Sequence, residues 1–150
     1  MVLVSRSIAT LRISGDDLDP EEISKALNGT PTFSTPKNGF HAYPPGRGRI
    51  ARTGIWRIRT DYAHPADLDG QVRQILAPLT DDMSVWTDLS KRYAMDIFCG
   101  LWLRESNEMM GVLPETLKAL GDRHVQLELD IYHEPDGVDD DEQTDHPVTK

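Results

Sequence analysis

Alternating apolar and polar residues predict β-strands that each bury one face. The clearest alternation runs through residues 7–13, and the same period of two recurs in 54–60 and 124–133. A fourth segment, 96–105, is apolar at nearly every position, which is typical of a strand with both faces covered. We therefore expect one sheet built from these strands. The side chains that share the apolar faces of the alternating segments are Ala9, Leu11, Ile13, Trp56, Ile58, Val125, Leu127, Leu129 and Ile131.

Apolar residues at helical spacing predict four helices between these strands. The first has the clearest start, because Asp19 is a good N-cap and Pro20 suits the first helical position. Gly29 and Gly121 follow apolar helical stretches, and we expect them to end the first and the last helix. The remaining three helices are expected to begin at Asp67, about Met83 and Pro114.

The stretch 30–54 fits neither period and is expected to form a long loop. It contains four prolines and four glycines, residues that interrupt helices and strands. Only a short strand near residues 32–34 is expected within it.

This order of elements predicts one α+β domain over residues 1–133. The segments 20–27 and 114–120 have similar sequences, and each follows one strand and precedes another. Two such βαβ-like units predict a ferredoxin-like or duplicated βαβ sandwich, with a mostly antiparallel sheet and helices packed on one face.

Most of the negative charge lies at the end of the chain. The 150 residues carry a formal net charge of −9, and 134–150 contain seven acidic residues and one lysine. Residues 1–133 hold 18 acidic and 15 basic residues and are nearly balanced. The segment 134–150 is also poor in apolar residues, so we expect an acidic tail that does not fold.

The sequence favours a cytoplasmic protein without cofactor or metal. No apolar stretch has the length of a membrane span or of a secretory signal core. Cys99 lies alone in an apolar run and is expected to be a buried, unreactive thiol. The segment 46–51 matches a dinucleotide fingerprint, but it follows two prolines and does not lead into a helix. Asp130 and His133 are expected on opposite faces of a strand, which disfavours a shared metal ion.

Several short motifs resemble a bacterial family of unknown function, DUF4279. The resemblance covers about residues 7–133 and leaves the acidic tail outside. It rests on residues 9–23, Pro31-Thr32, Gly54-Ile55-Trp56, Cys99-Gly100-Leu101, Leu113-Pro114 and Leu129-Asp130-Ile131-Tyr132. These motifs are mainly turns and strand segments, so the resemblance implies no catalytic residues.

The stretch 37–59 is the first candidate for a binding site. It contains six of the chain's 16 basic residues and no acidic residue. Arginines in a Gly- and Pro-rich loop are suited to hold carboxylates or phosphates through bidentate hydrogen bonds. The alternative is a solvated loop neutralised by the protein's own acids. The acidic tail is either a cover for this loop or free in solution. The arginines are Arg47, Arg49, Arg52, Arg57 and Arg59.

A second group of candidates is expected on the polar face of the sheet. Glu128 and Asp130 share one face of the last strand, and Arg12 and Arg57 are expected on neighbouring strands. These residues predict either cross-strand ion pairs or a small enzyme with a carboxylate and arginine site. We favour a non-enzymatic binding module that recognises an anionic ligand or a protein partner.

Nucleic acid is disfavoured as the partner. Phe98, Trp102 and Tyr132 are aromatic side chains of the kind that stack on single-stranded bases. The net negative charge of the chain, with Glu128 and Asp130 on the same face, opposes the binding of phosphates.

Overall fold

The computed structural model of the chain describes residues 3–43 and 46–135. They form a mixed α+β domain with an open five-stranded sheet, a two-stranded hairpin and four helices. Within these ranges, no helix combines the length and the apolar character needed to cross a bilayer. In chain order the elements are β1 (Arg6–Gly15), α1 (Pro20–Leu27), β2 (Phe33–Thr35), β3 (Phe40–Tyr43), β4 (Arg47–Ile50), β5 (Gly54–Arg59), α2 (Leu68–Leu76), α3 (Met83–Arg92), β6 (Ala94–Leu103), α4 (Pro114–Asp122) and β7 (Gln126–His133).

The strand order of the sheet is β2-β5-β1-β6-β7, and the hairpin consists of β3 and β4. Three neighbouring pairs of the sheet are antiparallel and only β6 and β7 are parallel, so the prediction of a mostly antiparallel sheet is confirmed. β1 and β2 run in the same direction with β5 between them. β5 and β6 also run in one direction, with β1 between them. α4 connects β6 to β7, because parallel neighbours need a crossover connection.

The alternation along the strands places the core on one side of the sheet. On β1 the side chains of Ala9, Leu11 and Ile13 are fully buried, as the sequence predicts. Trp56 of β5 is equally buried, and its indole nitrogen donates a hydrogen bond to Ser24 Oγ of α1 at 2.9 Å. All four helices contribute to this single core, through Ile23, Leu27, Leu68, Val72, Ile75, Leu76, Trp86, Leu89 and Leu120.

A buried polar cluster fixes α2 against β1. Ser7 and Gln71 are both buried, and Ser7 Oγ donates to Gln71 Oε1 at 2.7 Å. Gln71 Nε2 donates to the carbonyl oxygens of Ser7 and Asp61, at 3.0 Å each. The backbone nitrogen of Asp67 donates to Ser7 Oγ at 2.9 Å, which joins the N-terminus of α2 to the same cluster.

The stretch 30–54 contains the short strand that the sequence predicts near residues 32–34, which is β2 at Phe33–Thr35. It also contains both strands of the hairpin, which the sequence does not predict. Each hairpin strand is four residues long and shows too few alternations to be recognised among the surrounding prolines and glycines. Pro44 and Pro45, between the hairpin strands, lie outside the described residues.

The prediction that glycines end the first and last helices was wrong. The left-handed residue after α1 is Asn28, with φ 54°, and the one that follows α4 is His124, with φ 57°. Asparagine tolerates this conformation because its short polar side chain bonds locally. Gly121 lies inside α4, and Gly29 comes one residue after the cap.

The predicted acidic tail begins inside the described part of the chain. The backbone nitrogen of Glu134 donates to the carbonyl oxygen of Leu103 at 2.8 Å, and its carboxylate pairs with Arg6 at 3.0 Å. Residues 136–150 lie outside the described residues. The domain boundary at residue 133 and the unfolded tail therefore remain predictions.

Candidate binding site

One face of the sheet lies opposite the layer of helices. Its side chains alternate with the buried ones and are mostly half-exposed or exposed. β6 differs from the prediction here, because Phe98 and Trp102 are half-exposed and the strand is covered on one face only. We call this surface the open face. It is formed by Arg6, Ile8, Thr10, Arg12, Ile55, Arg57, Arg59, Asp96, Phe98, Trp102, Gln126, Glu128, Asp130 and Tyr132.

Positive and negative side chains occupy opposite halves of the open face. The arginines stand on β1 and β5, and the acids stand on β6 and β7. Because β1 and β6 are neighbours, the boundary between the halves runs along the middle of the sheet. The arginines are Arg6, Arg12, Arg57 and Arg59, and the acids are Asp96, Glu128 and Asp130.

Arg12 connects the two halves. Its Nε and Nη2 atoms donate to the Asp96 carboxylate at 2.7 and 2.8 Å, and Nη2 also donates to Glu128 at 3.1 Å. The guanidinium lies over the ring of Phe98, with 4.4 Å between Cζ and the ring centroid. The hydrogen bonds to Asp96, more than any other contact, raise the pKa of Arg12. Arg12 and Glu128 thus form an ion pair of the kind that the sequence offers as one alternative, although β6 lies between their strands.

Arg57 lies directly opposite Arg12 in the ladder between β1 and β5. Its guanidinium lies over the ring of Phe33 on β2, with 4.6 Å between Cζ and the ring centroid. Arg59 is the cross-strand partner of Thr10 and is exposed. Arg12 on β1 and Arg57 on β5 thus stand side by side, each over a different aromatic ring.

The β3–β4 hairpin adds basic residues beside β2. The ring of His41 meets the ring of Phe33 edge-on, with the centroids 5.0 Å apart. His41 and Arg49 are cross-strand partners, so their side chains share one face of the hairpin, and Arg47 belongs to the same face. This basic face therefore adjoins the open face at β2. Arg52 is exposed just beyond the end of β4.

A row of stacked groups crosses the other end of the open face. Arg6 Cζ lies 4.4 Å from the ring centroid of Trp102 and 5.1 Å from that of Tyr62. The rings of Trp102 and Tyr132 are stacked, with centroids 5.0 Å apart and planes inclined by 16°. The sequence interpretation named Trp102 and Tyr132 but missed Arg6 and Tyr62. The alternation along β1 places Arg6 on the same face as Arg12, so the sequence pattern is enough to predict its position.

The structure brings together Arg12 and Glu128 of the predicted carboxylate and arginine site but not Arg57 and Asp130. Arg57 on β5 and Asp130 on β7 are separated by two intervening strands. Glu128 is bound to Arg12, and Asp130 accepts a hydrogen bond from the Tyr132 hydroxyl, which raises the pKa of Tyr132. Both carboxylates of the predicted site are therefore already engaged. The enzymatic alternative stays a prediction.

Cys99 offers no reactive thiolate at neutral pH. It is fully buried on the core side of β6, and burial raises the pKa of its thiol to about 12. The prediction of a buried thiol is thus confirmed. Among residues 3–43 and 46–135, no group of three or more His, Cys, Asp or Glu side chains is placed to hold a metal ion.

Comparison with known proteins identifies a family but no activity. A family model described as "Domain of unknown function (DUF4279)" matches residues 5–134. No curated protein and no solved structure matches the chain. The matched range contains every strand and helix that the structure describes, and with them the whole open face.

Proposed function

The chain belongs to the DUF4279 family of domains of unknown function, and we propose that the basic half of its open face binds an anionic group. The proposed site consists of Arg12 and Arg57, with Arg49 and His41 of the hairpin at its border. The group is a carboxylate or a phosphate, carried by a small molecule or by acidic side chains of a partner protein. The proposal concerns binding and includes no reaction.

The pairing of Arg12 with Arg57 carries this proposal. The two side chains stand directly opposite each other in the antiparallel ladder, which concentrates positive charge at this point of the open face. Arg12 already binds Asp96 and Glu128 on the side of β6. An anion that contacts both arginines would therefore lie above β1 and β5, on the side of Arg57.

The aromatic rings beneath the two arginines support planar recognition. Phe98 and Phe33 lie under the guanidinium groups of Arg12 and Arg57, respectively. Stacking keeps a guanidinium in one plane, so its N–H groups point in fixed directions. An arginine held in this way loses less conformational entropy when it binds a carboxylate or phosphate.

The hairpin supplies the border of the site in this proposal, and all four residues of β4 are exposed. Its contact with the sheet between His41 and Phe33 puts the face that carries Arg49 next to β2.

The proposal is tested by titrating the full chain, labelled with ¹⁵N, at low ionic strength. The ligands are inorganic phosphate, citrate and a hexaglutamate peptide, and the signals followed are those of the arginine Nε–H groups. Arg57→Gln is expected to weaken binding about tenfold, because a hydrogen bond to a charged group contributes about 1.5 kcal/mol. Arg57→Lys keeps the charge and is expected to give an intermediate loss.

Arg73→Gln is the matched control. Arg73 is exposed on α2, in the helix layer opposite the open face, and its removal changes the net charge equally. Equal affinities of the Arg57→Gln and Arg73→Gln variants would mean non-specific attraction and would contradict the proposal. If hexaglutamate binds and neither phosphate nor citrate does, the ligand would be the acidic side chains of a protein partner.

We also propose that residues 6–103 form a ferredoxin-like unit to which α4 and β7 are added. The support is the strand order β2-β5-β1-β6, in which every neighbouring pair is antiparallel and α1 connects β1 to β2. In this description the hairpin is an insertion between the second and third strands of the unit. A solved structure of the chain with the same strand order would test it.

A further inference from the structure

β7 is an edge strand, and no strand of the described chain pairs with its outer side. The backbone nitrogen of Glu134 donates towards β6, to Leu103, so alternate residues before it also point towards β6. The N–H and C=O groups of Leu129 and Ile131 therefore point outwards. A strand of eight residues with such a free edge can pair with another chain.

The two faces of β7 have different chemistry. On the helix side of the sheet, Leu129 is 45% exposed and Ile131 is 61% exposed, although both continue the apolar face that is buried in the neighbouring β6. On the open face, β7 carries Glu128, Asp130 and Tyr132. A strand added beside β7 would therefore meet apolar side chains on one face and acidic side chains on the other.

A second copy of β7 does not fit this edge. In any antiparallel pairing that keeps the apolar faces together, Glu128 and Asp130 of one strand stand opposite or diagonal to the same acids of the other. Like charges opposed across a ladder are destabilising. Acidic side chains on an edge strand are a known protection against such self-pairing.

We propose that the outer edge of β7 accepts an extended segment of another protein as a sixth strand, with basic side chains alternating with apolar ones. The basic side chains face Glu128 and Asp130, and the apolar ones cover Leu129 and Ile131. At Tyr132, an arginine or an aromatic side chain extends the stacked row of Arg6 and Trp102. Main-chain hydrogen bonds supply affinity, and the alternation supplies selectivity.

This surface is separate from the proposed anion site. The anion site lies on β1, β5 and the hairpin, whereas the strand would add at the opposite edge of the sheet. Each proposal can therefore fail without the other, because no residue changed in the following test belongs to the anion site.

The test uses the full chain and a fluorescently labelled peptide of nine residues in which arginine and isoleucine alternate. Fluorescence anisotropy measures the binding of this peptide. Leu129→Pro removes one outward N–H without removing a bond to β6, since proline is tolerated on the free side of an edge strand. Leu129→Ser is its matched control, because it loses the same apolar side chain and keeps the N–H. We expect Leu129→Pro to bind at least about fivefold more weakly than Leu129→Ser.

A charge-reversal variant still tests the proposal if Leu129→Pro does not fold. Asp130→Lys is expected to weaken binding of the arginine peptide at least about fivefold and to strengthen binding of a peptide in which glutamate replaces arginine. Equal binding to the proline and serine variants, or no response to Asp130→Lys, would overturn the proposal. So would sedimentation showing a dimer that is lost in Leu129→Pro, because a second copy would then occupy the edge.

Discussion

The indole ring of Trp102 lies against the backbone of Gly100, two residues before it on β6. A Cβ atom added at Gly100 would stand 2.7 Å from Cη2 of this indole and 3.3 Å from Cγ2 of Ile8. The ring is not free to move aside, because Arg6 and Tyr132 stack on it from the strands on either side. The absence of a side chain at Gly100 thus allows the stacked row to lie flat on the sheet.

Gly100→Ala is expected to lower the free energy of unfolding by about 1–3 kcal/mol, the usual cost of overpacking. Urea unfolding followed by circular dichroism measures this loss, and tryptophan fluorescence reports the displaced indole. Gly121→Ala is the control, because a Cβ there meets nothing within 4 Å. Since Gly121 lies inside α4, its replacement is expected to raise stability by up to about 1 kcal/mol. An equal response of the two variants would show that Trp102 does not depend on Gly100.

The fold was predictable wherever a segment is long and buried on one side only. Ala9, Leu11 and Ile13 repeat at every second position, and the structure buries all three. The N-cap at Asp19 was also predictable, because an aspartate followed by Pro20 is a typical helix start. In the structure its carboxylate accepts a hydrogen bond from the backbone nitrogen of Glu21. The hairpin strands were not predictable, because four exposed residues in β4 leave no pattern of burial in the sequence.

The site was predictable only as far as single strands determine it. Alternation places Glu128 and Asp130 on one face, and the structure agrees. Which strands become neighbours is decided by packing across the whole sheet, and no local pattern records it. For that reason Arg12 reaches Glu128 across β6, whereas two strands lie between Arg57 on β5 and Asp130 on β7.

Gln71→Ala is expected to destabilise the protein by about 2–3 kcal/mol. The change removes the hydrogen bonds between Gln71 and Ser7 and leaves buried polar atoms without partners. Gln74→Ala is the matched control, because Gln74 is exposed on the same helix and its loss is expected to cost less than about 0.5 kcal/mol. Thermal or urea unfolding of the two variants gives the comparison. Similar losses would mean that the buried cluster does not hold α2.

Cys99 is expected to resist thiol reagents at pH 8 until the protein unfolds. Burial raises the pKa of the thiol from its ordinary 9.0 to about 12, so the folded protein keeps the proton. The reaction with Ellman's reagent is expected to proceed no faster than unfolding. Rapid labelling of the native protein would contradict the burial of Cys99.

The same pKa shift predicts how stability depends on pH. A raised pKa favours the protonated thiol in the folded state, so the contribution of Cys99 is complete below pH 9 and is lost between pH 9 and about 12. The difference in unfolding free energy between wild type and Cys99→Ala isolates it from other groups. This difference is expected to shift in favour of Cys99→Ala as the pH rises above 9, and a constant difference would contradict the prediction.

Asp130→Asn is expected to lower the pKa of Tyr132. The hydrogen bond from the tyrosine hydroxyl to the Asp130 carboxylate raises this pKa above the ordinary 10.0, since ionisation would break the bond and oppose two negative charges. Its stabilising effect is present below pH 10 and is lost at higher pH. Absorbance titration at 295 nm of the wild type and the variant measures the shift. Identical titration curves would show that the two side chains do not interact in solution.

The central position of β1 makes the sheet depend on contacts between residues that are distant in sequence. Its hydrogen bonds span 51 residues to Thr60, beside the end of β5, and 84 residues to Asp96 on β6. Contacts so distant in sequence close large loops before they gain any packing energy, and such topologies fold in milliseconds to seconds. Until then the face of Ala9, Leu11 and Ile13 has no partner. Because this segment is the first of the described strands along the chain, we expect its apolar face to stay exposed until β5 and β6 have formed.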